Sequence, residues 1–406
     1  MGEYSELRAT SRYSGLDGLR GLAALVVLIH HCALVSPQLS AAVDSNGTGS
    51  FEPWVWWTTF TPLHLLWAGH EAVYTFFILS GFVLALPFLR DSPPSWATYY
   101  PKRLVRIYLP VWASLVIALL MAWTVPRTAG SELSYWVNLH DEPPHVLADA
   151  FLLRGAGLLN SPLWSLQWEM LFSLLLPIYV IGARKLGSYG PPGLLGIFIL
   201  MAVGNLMRSP LLVYMSMFGV GVLMAAQREV LERWGRKIGP LAWLSLIAAS
   251  ITLLCSRWLF PQLPVAIAMA ALGGALLIFA FLAWQPAISL GNGSLVRWLG
   301  MRSFSLYLIH EPIVVSVTFA LRSNNAFLVA MLALPLSLLV TEAFFRLMER
   351  PSHRLAQAAG RVITIPSSVG AQSRRLTGKF TRPNASAAMR GNDRRGTVAK
   401  GQVENG

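Results

Sequence analysis

Asp17-Gly18-Leu19-Arg20-Gly21-Leu22-Ala23-Ala24-Leu25-Val26-Val27-Leu28-Ile29-His30-His31 is apolar enough to span a membrane, yet it carries a guanidinium near one end and an imidazole at the other. Ionisable groups inside a bilayer are costly, which makes both candidates for function. At about 100° per residue, the steps from Arg20 to His31 turn through roughly 1,100°, so the two side chains share one helical face to within about 20°. His30 sits about 80° off that face. The separation along the axis is roughly 16 Å, about half the hydrocarbon thickness. A snorkelling Arg at a helix end and a His hydrogen-bonded between packed helices would account for the same residues without chemistry.

The whole chain agrees with a membrane setting. Of 406 residues, 54% are hydrophobic and 13% charged, about half the charged share of soluble domains. Mean hydropathy is +0.53. These values exclude an ordinary soluble enzyme, and the long unbroken apolar runs exclude the alternating pattern of a transmembrane barrel. The expected fold class is an all-α integral membrane protein. Cys32 and Cys255 lie in apolar runs and offer neither a metal-ligand spacing nor a disulfide framework, so no metal is expected. The N-terminal residues lack the features of a cleavable signal peptide, and the apolar run after them is long enough to remain as a span.

Apolar segments occur at about 16–35, 69–89, 107–125, 163–182, 193–207, 210–226, 240–257, 263–284, 303–321 and 326–346, which predicts about ten transmembrane helices with both termini on one side. With the N-terminus inside, the cytoplasmic segments before residue 352 hold fourteen Lys and Arg and the opposite segments five. The positive-inside rule therefore places both termini in the cytoplasm. Trp54, Trp56, Trp57 and Trp67, in the outer loop 36–68, suit a membrane interface better than a sugar platform. Residues 1–354 are read as the transmembrane domain, and 355–406 as a disordered basic cytoplasmic tail. From residue 352 onward the chain supplies +8 of the net +13, which beside a membrane points to anionic lipid rather than nucleic acid. No internal repeat of the transporter kind is evident.

Several polar groups fall inside these spans. Glu169, about two turns into the fourth span, is expected at the depth of His31, where its carboxylate could orient the imidazole. Ser80-Gly81 at mid-span permits close approach of a helix or ligand. Tyr99-Tyr100-Pro101-Lys102-Arg103-Leu104-Val105-Arg106 reads as a cytoplasmic loop whose cations could clamp phosphates, although the positive-inside rule predicts cations there in any case. His310-Glu311-Pro312 is hard to reconcile with lipid-facing packing, because the proline frees a backbone carbonyl that something must satisfy.

Together these segments resemble the acyltransferase 3 family of multispanning membrane acyltransferases. The family's Arg-x10-His signature matches Arg20 and His31, within an Asp17-Gly18-Leu19-Arg20 context. Its phenylalanine-rich Ser-Gly-Phe segment matches Phe76, Phe77, Ser80, Gly81 and Phe82. The basic segment with a following Arg-Ile and Pro matches Arg103, Arg106, Ile107 and Pro110. Trp-Ser-Leu-x-x-Glu matches Trp164, Ser165, Leu166 and Glu169. Tyr307, Leu308, His310 and Pro312, with Ser303 or Ser305, meet a further pattern in part, and Glu349-Arg350-Pro351 resembles the closing Glu-x-Pro. The matches run in family order over roughly residues 14–352.

The resemblance implies transfer of an acyl group, most often acetyl, from acyl-coenzyme A to a hydroxyl of a carbohydrate, cell-surface glycan or related metabolite, at the cytoplasmic membrane. Acyl-CoA would be a donor substrate, with no permanently bound cofactor. His31 would be the general base, with an acyl-His31 intermediate as the rival within this reading. Glu169 would orient His31, and Arg20 would complete the catalytic set. Lys102, Arg103 and Arg106 would bind the donor. Asp17, Ser80, Gly81, Trp164, Ser165, Tyr307, His310 and Glu349 would line or support the acyl channel. The competing class is a proton-coupled secondary transporter using His31, Glu169 and His310 as a relay.

Overall fold

A computed structural model describes residues 13–363, apart from 46, 129–131, 142–144 and 154–156. Every regular element among the described residues is helical. Ten apolar helices form the body: α1 (Ser14–Ala33), α2 (Gly69–Ala85), α3 (Trp96–Thr124), α4 (Leu163–Leu186), α5 (Gly190–Leu206), α6 (Pro210–Ala226), α7 (Pro240–Leu254), α8 (Ala266–Ala283), α9 (Ser294–Leu321) and α10 (Ala326–Phe344). Each expected apolar segment lies on one of them. Among the described residues, seven helices are long and apolar enough to cross a membrane, or eight if α6 is joined to Arg228–Gly235, from which it is bent by 72°. α5 and α7 are apolar but shorter.

Local chemistry sets the ends. Proline occupies the first turn of α5, α6 and α7, where its missing N–H costs nothing. Asn325 caps α10 by accepting from the Leu328 N–H at 3.0 Å. The basic segment expected as a loop differs: residues 96–110 are the first turns of α3, which runs on through Pro101 and Pro110. Charged residues lowered the apparent hydropathy there without interrupting the helix. The C-terminal boundary differs too. After α10 a π-helical turn, Phe345–Glu349, leads into a helix Arg350–Ile363 that packs along α3, so helix continues past the expected limit at 354. Residues 364–406, read as a disordered tail, and 1–12 lie outside the described residues.

α1 and α9 form the central pair. Gly21 and Gly300 meet backbone to backbone: a Cβ on Gly21 would collide with the Gly300 nitrogen, and one on Gly300 with the Asp17 carbonyl. α2 crosses α6 in the same way, with Gly81 against the Phe218 carbonyl and Gly221 against that of Ile78. Small residues let membrane helices approach until backbones touch. Gly81 is therefore a packing residue of α2. α9 is the most enclosed of the candidate spans. Its Arg302 is held by Glu342 of α10 and lies 4.7 Å above both the Trp298 and Phe345 rings.

Candidate active site

α1 and α9 bring His31 and His310 together. His310 Nδ1 lies 2.9 Å from the Leu306 carbonyl oxygen, which can only accept, so this nitrogen carries the proton and Nε2 presents a lone pair. His31 Nδ1 lies 2.9 Å from that Nε2 and 3.0 Å from the Val27 carbonyl. These partners assign the His31 proton to Nδ1 and leave the Nε2 lone pair for chemistry. His31 is 12% exposed. His30 is turned away: its Nδ1 donates to the Trp67 carbonyl at 2.9 Å and its ring stacks on Trp67. Trp67 is accordingly buried, whereas Trp54, Trp56 and Trp57 are exposed.

The carboxylate beside His31 is Glu311, not Glu169. Glu311 Oε1 lies 3.8 Å from His31 Nε2 and 3.2 Å from His140 Nε2. The Ser161 N–H and hydroxyl both donate to the same carboxylate. His140 comes from the segment 135–141, which covers this end, and donates through Nδ1 to the Trp136 carbonyl at 2.9 Å. The Trp136 ring in turn packs 5.3 Å from His31.

Proline explains how this end is fixed. Pro312 has no N–H, so the carbonyl of Leu308, one turn earlier, loses its helical donor. Asn160 Nδ2 supplies the replacement at 2.8 Å. This bond ties the residues preceding α4 to α9 and sets Ser161 against Glu311. It also explains the Glu169 outcome. The N-terminus of α4 is already level with Glu311, so Glu169, eight residues past Ser161, lies about 12 Å further along the helix.

Glu169 belongs instead to the charged end. Its Oε1 accepts from Arg103 Nη2 at 2.5 Å and from Ser80 Oγ at 3.4 Å, while Arg103 Nε donates to Ser173 Oγ at 3.0 Å. Glu349 is buried and accepts from the Ser305 N–H at 3.2 Å and from its hydroxyl, an interaction set up by the π-helical turn. Two cavities open here. One of about 480 Å³ is lined by Asp17, Arg20, Arg90 and Arg106. Another, of about 400 Å³, is lined by Lys102, Arg103, Arg106 and Tyr99. Both also reach His353, on the helix after the π turn, and both adjoin a smaller space of about 70 Å³ bounded by Arg20, Arg103, Arg106 and Glu169.

A narrow space of about 30 Å³ continues from Arg20 and Glu169 between Ser80, Phe76, Phe77, Ser165 and Tyr307. At its far side Tyr307 Oη bonds Ser165 Oγ at 2.7 Å and donates to the Pro162 carbonyl at 3.1 Å. The Tyr307 and His310 rings are 5.9 Å apart. Tyr307 thus stands between the charged end and the imidazoles. Trp164 packs against Phe77 and Tyr214 beside this path. Among the described residues, no group of three or more His, Cys, Asp or Glu is arranged to hold a metal ion.

The sequence reading singled out His310-Glu311-Pro312 but gave Glu311 no role, and it overlooked His140, Asn160, Ser161 and His353. Glu311 had a signal, since it adjoins His310 and a proline within an apolar span. Asn160 and Ser161 stand just before a helix start, where such residues read as capping. His140 sits in a loop without a motif.

The acyltransferase domain model matches residues 13–346 of the chain. The chain is 32% identical over 178 residues to the acyltransferase MdmB of Streptomyces mycarofaciens, covering 43% of this chain and 41% of that protein. It is 39% identical over 82 residues to the O-acetyltransferase PaAT-1 of Phomopsis amygdali, covering 20% of this chain and 15% of that one. The chain thus spans less than half the length of these curated relatives. No solved structure matches it. With that domain over most of its length, the chain belongs to the acyltransferase 3 family.

Proposed function

We propose that the protein transfers an acyl group, acetyl in the first instance, from acyl-coenzyme A to a hydroxyl of a carbohydrate, surface glycan or related metabolite at the cytoplasmic membrane. The observation that carries this reading is the bonded state of His31: Nδ1–H is committed to His310 and Val27, leaving the Nε2 lone pair beside the Glu311 carboxylate. In the proposed step, His31 Nε2 takes the acceptor's hydroxyl proton as the oxygen attacks the thioester carbonyl. The C–S bond then breaks, and the imidazolium returns the proton to the departing thiolate. Glu311 stabilises the transient imidazolium, from the place beside His31 first expected of Glu169. Glu169 instead holds Arg103 in place among the donor-binding cations.

The charge bias of the loops supports placing the Arg20 end at the cytoplasm, where acyl-CoA is made. Arg20, Arg103 and Arg106 then meet the donor's phosphates, and the pantetheine arm follows the narrow space past Ser80 toward Tyr307. The test is release of free coenzyme A thiol by purified protein supplied with acetyl-CoA and candidate hydroxyl acceptors. Acceptor-dependent release that His31→Ala abolishes, with fold and donor binding retained, is the expected result. Proton-coupled uptake without thiol release would overturn the reading in favour of a transporter, and wild-type turnover by His31→Ala would remove His31 from catalysis.

A further inference from the structure

His140 is the side chain through which the covering segment 135–141 touches Glu311, and both groups are buried. Each ring nitrogen of His140 faces an acceptor: Nδ1 lies 2.9 Å from the Trp136 carbonyl oxygen and Nε2 lies 3.2 Å from Glu311 Oε1. A neutral imidazole carries a single N–H, so the two contacts together need one proton more. The Ser161 N–H and hydroxyl already donate to the Glu311 carboxylate, as they would to an anion. The additional proton therefore resides on His140, and the pair is an imidazolium and a carboxylate, neutral in sum.

This balance bears on His31, because the same Glu311 Oε1 lies 3.8 Å from His31 Nε2. A carboxylate at that distance with nothing to offset it would draw a proton onto His31 before any acceptor arrived, and a protonated imidazole is no base. The other groups at this end leave the offset to His140. His310 presents a lone pair to His31 Nδ1, His30 donates to the Trp67 carbonyl with the His70 ring 5.5 Å away, and Tyr307 is fastened to Ser165 and Pro162. Arg127, a further cation here, donates to the backbone carbonyls of His140 and Leu158, each at 3.1 Å.

We propose that His140 is a positioning residue for the transfer: its imidazolium offsets the Glu311 charge and keeps His31 neutral until the acceptor hydroxyl binds. Glu311 stays close enough to steady the imidazolium that forms on His31 during the reaction, yet is held back from creating it beforehand. The inference rests on His31 being the general base.

Diethyl pyrocarbonate, which modifies neutral imidazoles, reads the state of His31 without an acceptor. Its rate of reaction at His31 is to be followed against pH by mass spectrometry in wild type, His140→Gln and His140→Lys, with fragmentation separating His31 from His30. In His140→Gln the midpoint should move up by about one pH unit, so that below it His31 reacts roughly tenfold more slowly than in wild type. His140→Lys, which restores a cation, should keep the wild-type midpoint. A midpoint unmoved in His140→Gln, or moved equally in both variants, would overturn the assignment. An infrared difference spectrum between wild type and Glu311→Gln needs no His140 variant to fold: carboxylate bands are expected, and a protonated carbonyl band would put the proton on Glu311 and end the proposal. If wild type releases thiol and the midpoints coincide, the His140 assignment alone is wrong. If wild type releases no thiol, the acyltransferase reading falls, and a shifted midpoint then has no bearing on catalysis.

Discussion

Asn160 Nδ2 donates at 2.8 Å to the Leu308 carbonyl, the group that Pro312 leaves without its helical partner. Residues from two separate parts of the sequence thereby solve one backbone problem, and the solution holds Ser161 on Glu311. Asn160→Ala should cost about 1–3 kcal/mol, because a buried carbonyl is left without a donor. Pro312→Ala in that background restores the N–H and should recover part of the loss. Chemical unfolding in detergent of both single variants and the double variant gives the coupling; simple additivity would contradict the account.

The two carboxylates should separate kinetically. Glu311→Gln keeps the shape and removes the charge beside His31 Nε2, so kcat should fall about 100-fold, corresponding to roughly 2–3 kcal/mol of lost transition-state stabilisation, with KM for the donor little changed. Glu169→Gln releases Arg103 and should act chiefly on donor KM. Steady-state kinetics in acyl-CoA decide between this pattern and its reverse.

His310 matters here as an acceptor. His310→Gln offers an amide oxygen to His31 Nδ1–H and should retain a measurable fraction of turnover. His310→Phe removes the acceptor, leaves the His31 proton free to move to Nε2, and should lower kcat about tenfold further. Equal loss in both variants would mean that the ring only fills space.

His64 predicts an acid-side loss of stability. It lies in the 3-10 turn Pro62–Trp67, fully buried, with neither ring nitrogen hydrogen-bonded among the described residues and Nε2 3.8 Å from the buried Glu71 carboxylate. Burial first, then the nearby His30, His70 and Arg257, hold its pKa well below the ordinary 6.5. Above pH 6.5 the ring is neutral in folded and unfolded chains alike. As pH falls below 6.5, the unfolded chain takes up a proton that the folded one refuses, so stability declines toward the depressed folded pKa. Melting temperatures at pH 7.5 and 5.5 should differ less in His64→Gln than in wild type; an undiminished difference would rule His64 out as a contributor.

The helices were legible in the sequence because hydropathy reads burial in lipid directly, and every apolar segment lies on a helix. Charge misled the eye at α3: Lys102, Arg103 and Arg106 resemble a loop by composition, yet they occupy helical turns facing cavities. The depth of Glu169 failed for a different reason. Counting turns assumed that α4 begins at a membrane surface, whereas its start is sunk to the level of Glu311 and fastened there by Asn160. Arg20 and His31 were readable as a pair because both sit on one helix, where periodicity fixes their relation. Glu311, His140 and Ser161 come from three segments, and their meeting depends on tertiary packing that no spacing encodes.

The bond between Tyr307 and Ser165 has an electrical side. A membrane protein with a polar path leading from a charged mouth to a cluster of imidazoles is close to being a proton wire, and an uncontrolled wire would discharge the gradient its cell maintains. Tyr307 reaches from α9 to α4 and fastens to Ser165 and Pro162 in the gap between the two ends. Bonded on both sides, its phenol narrows the gap between the two ends.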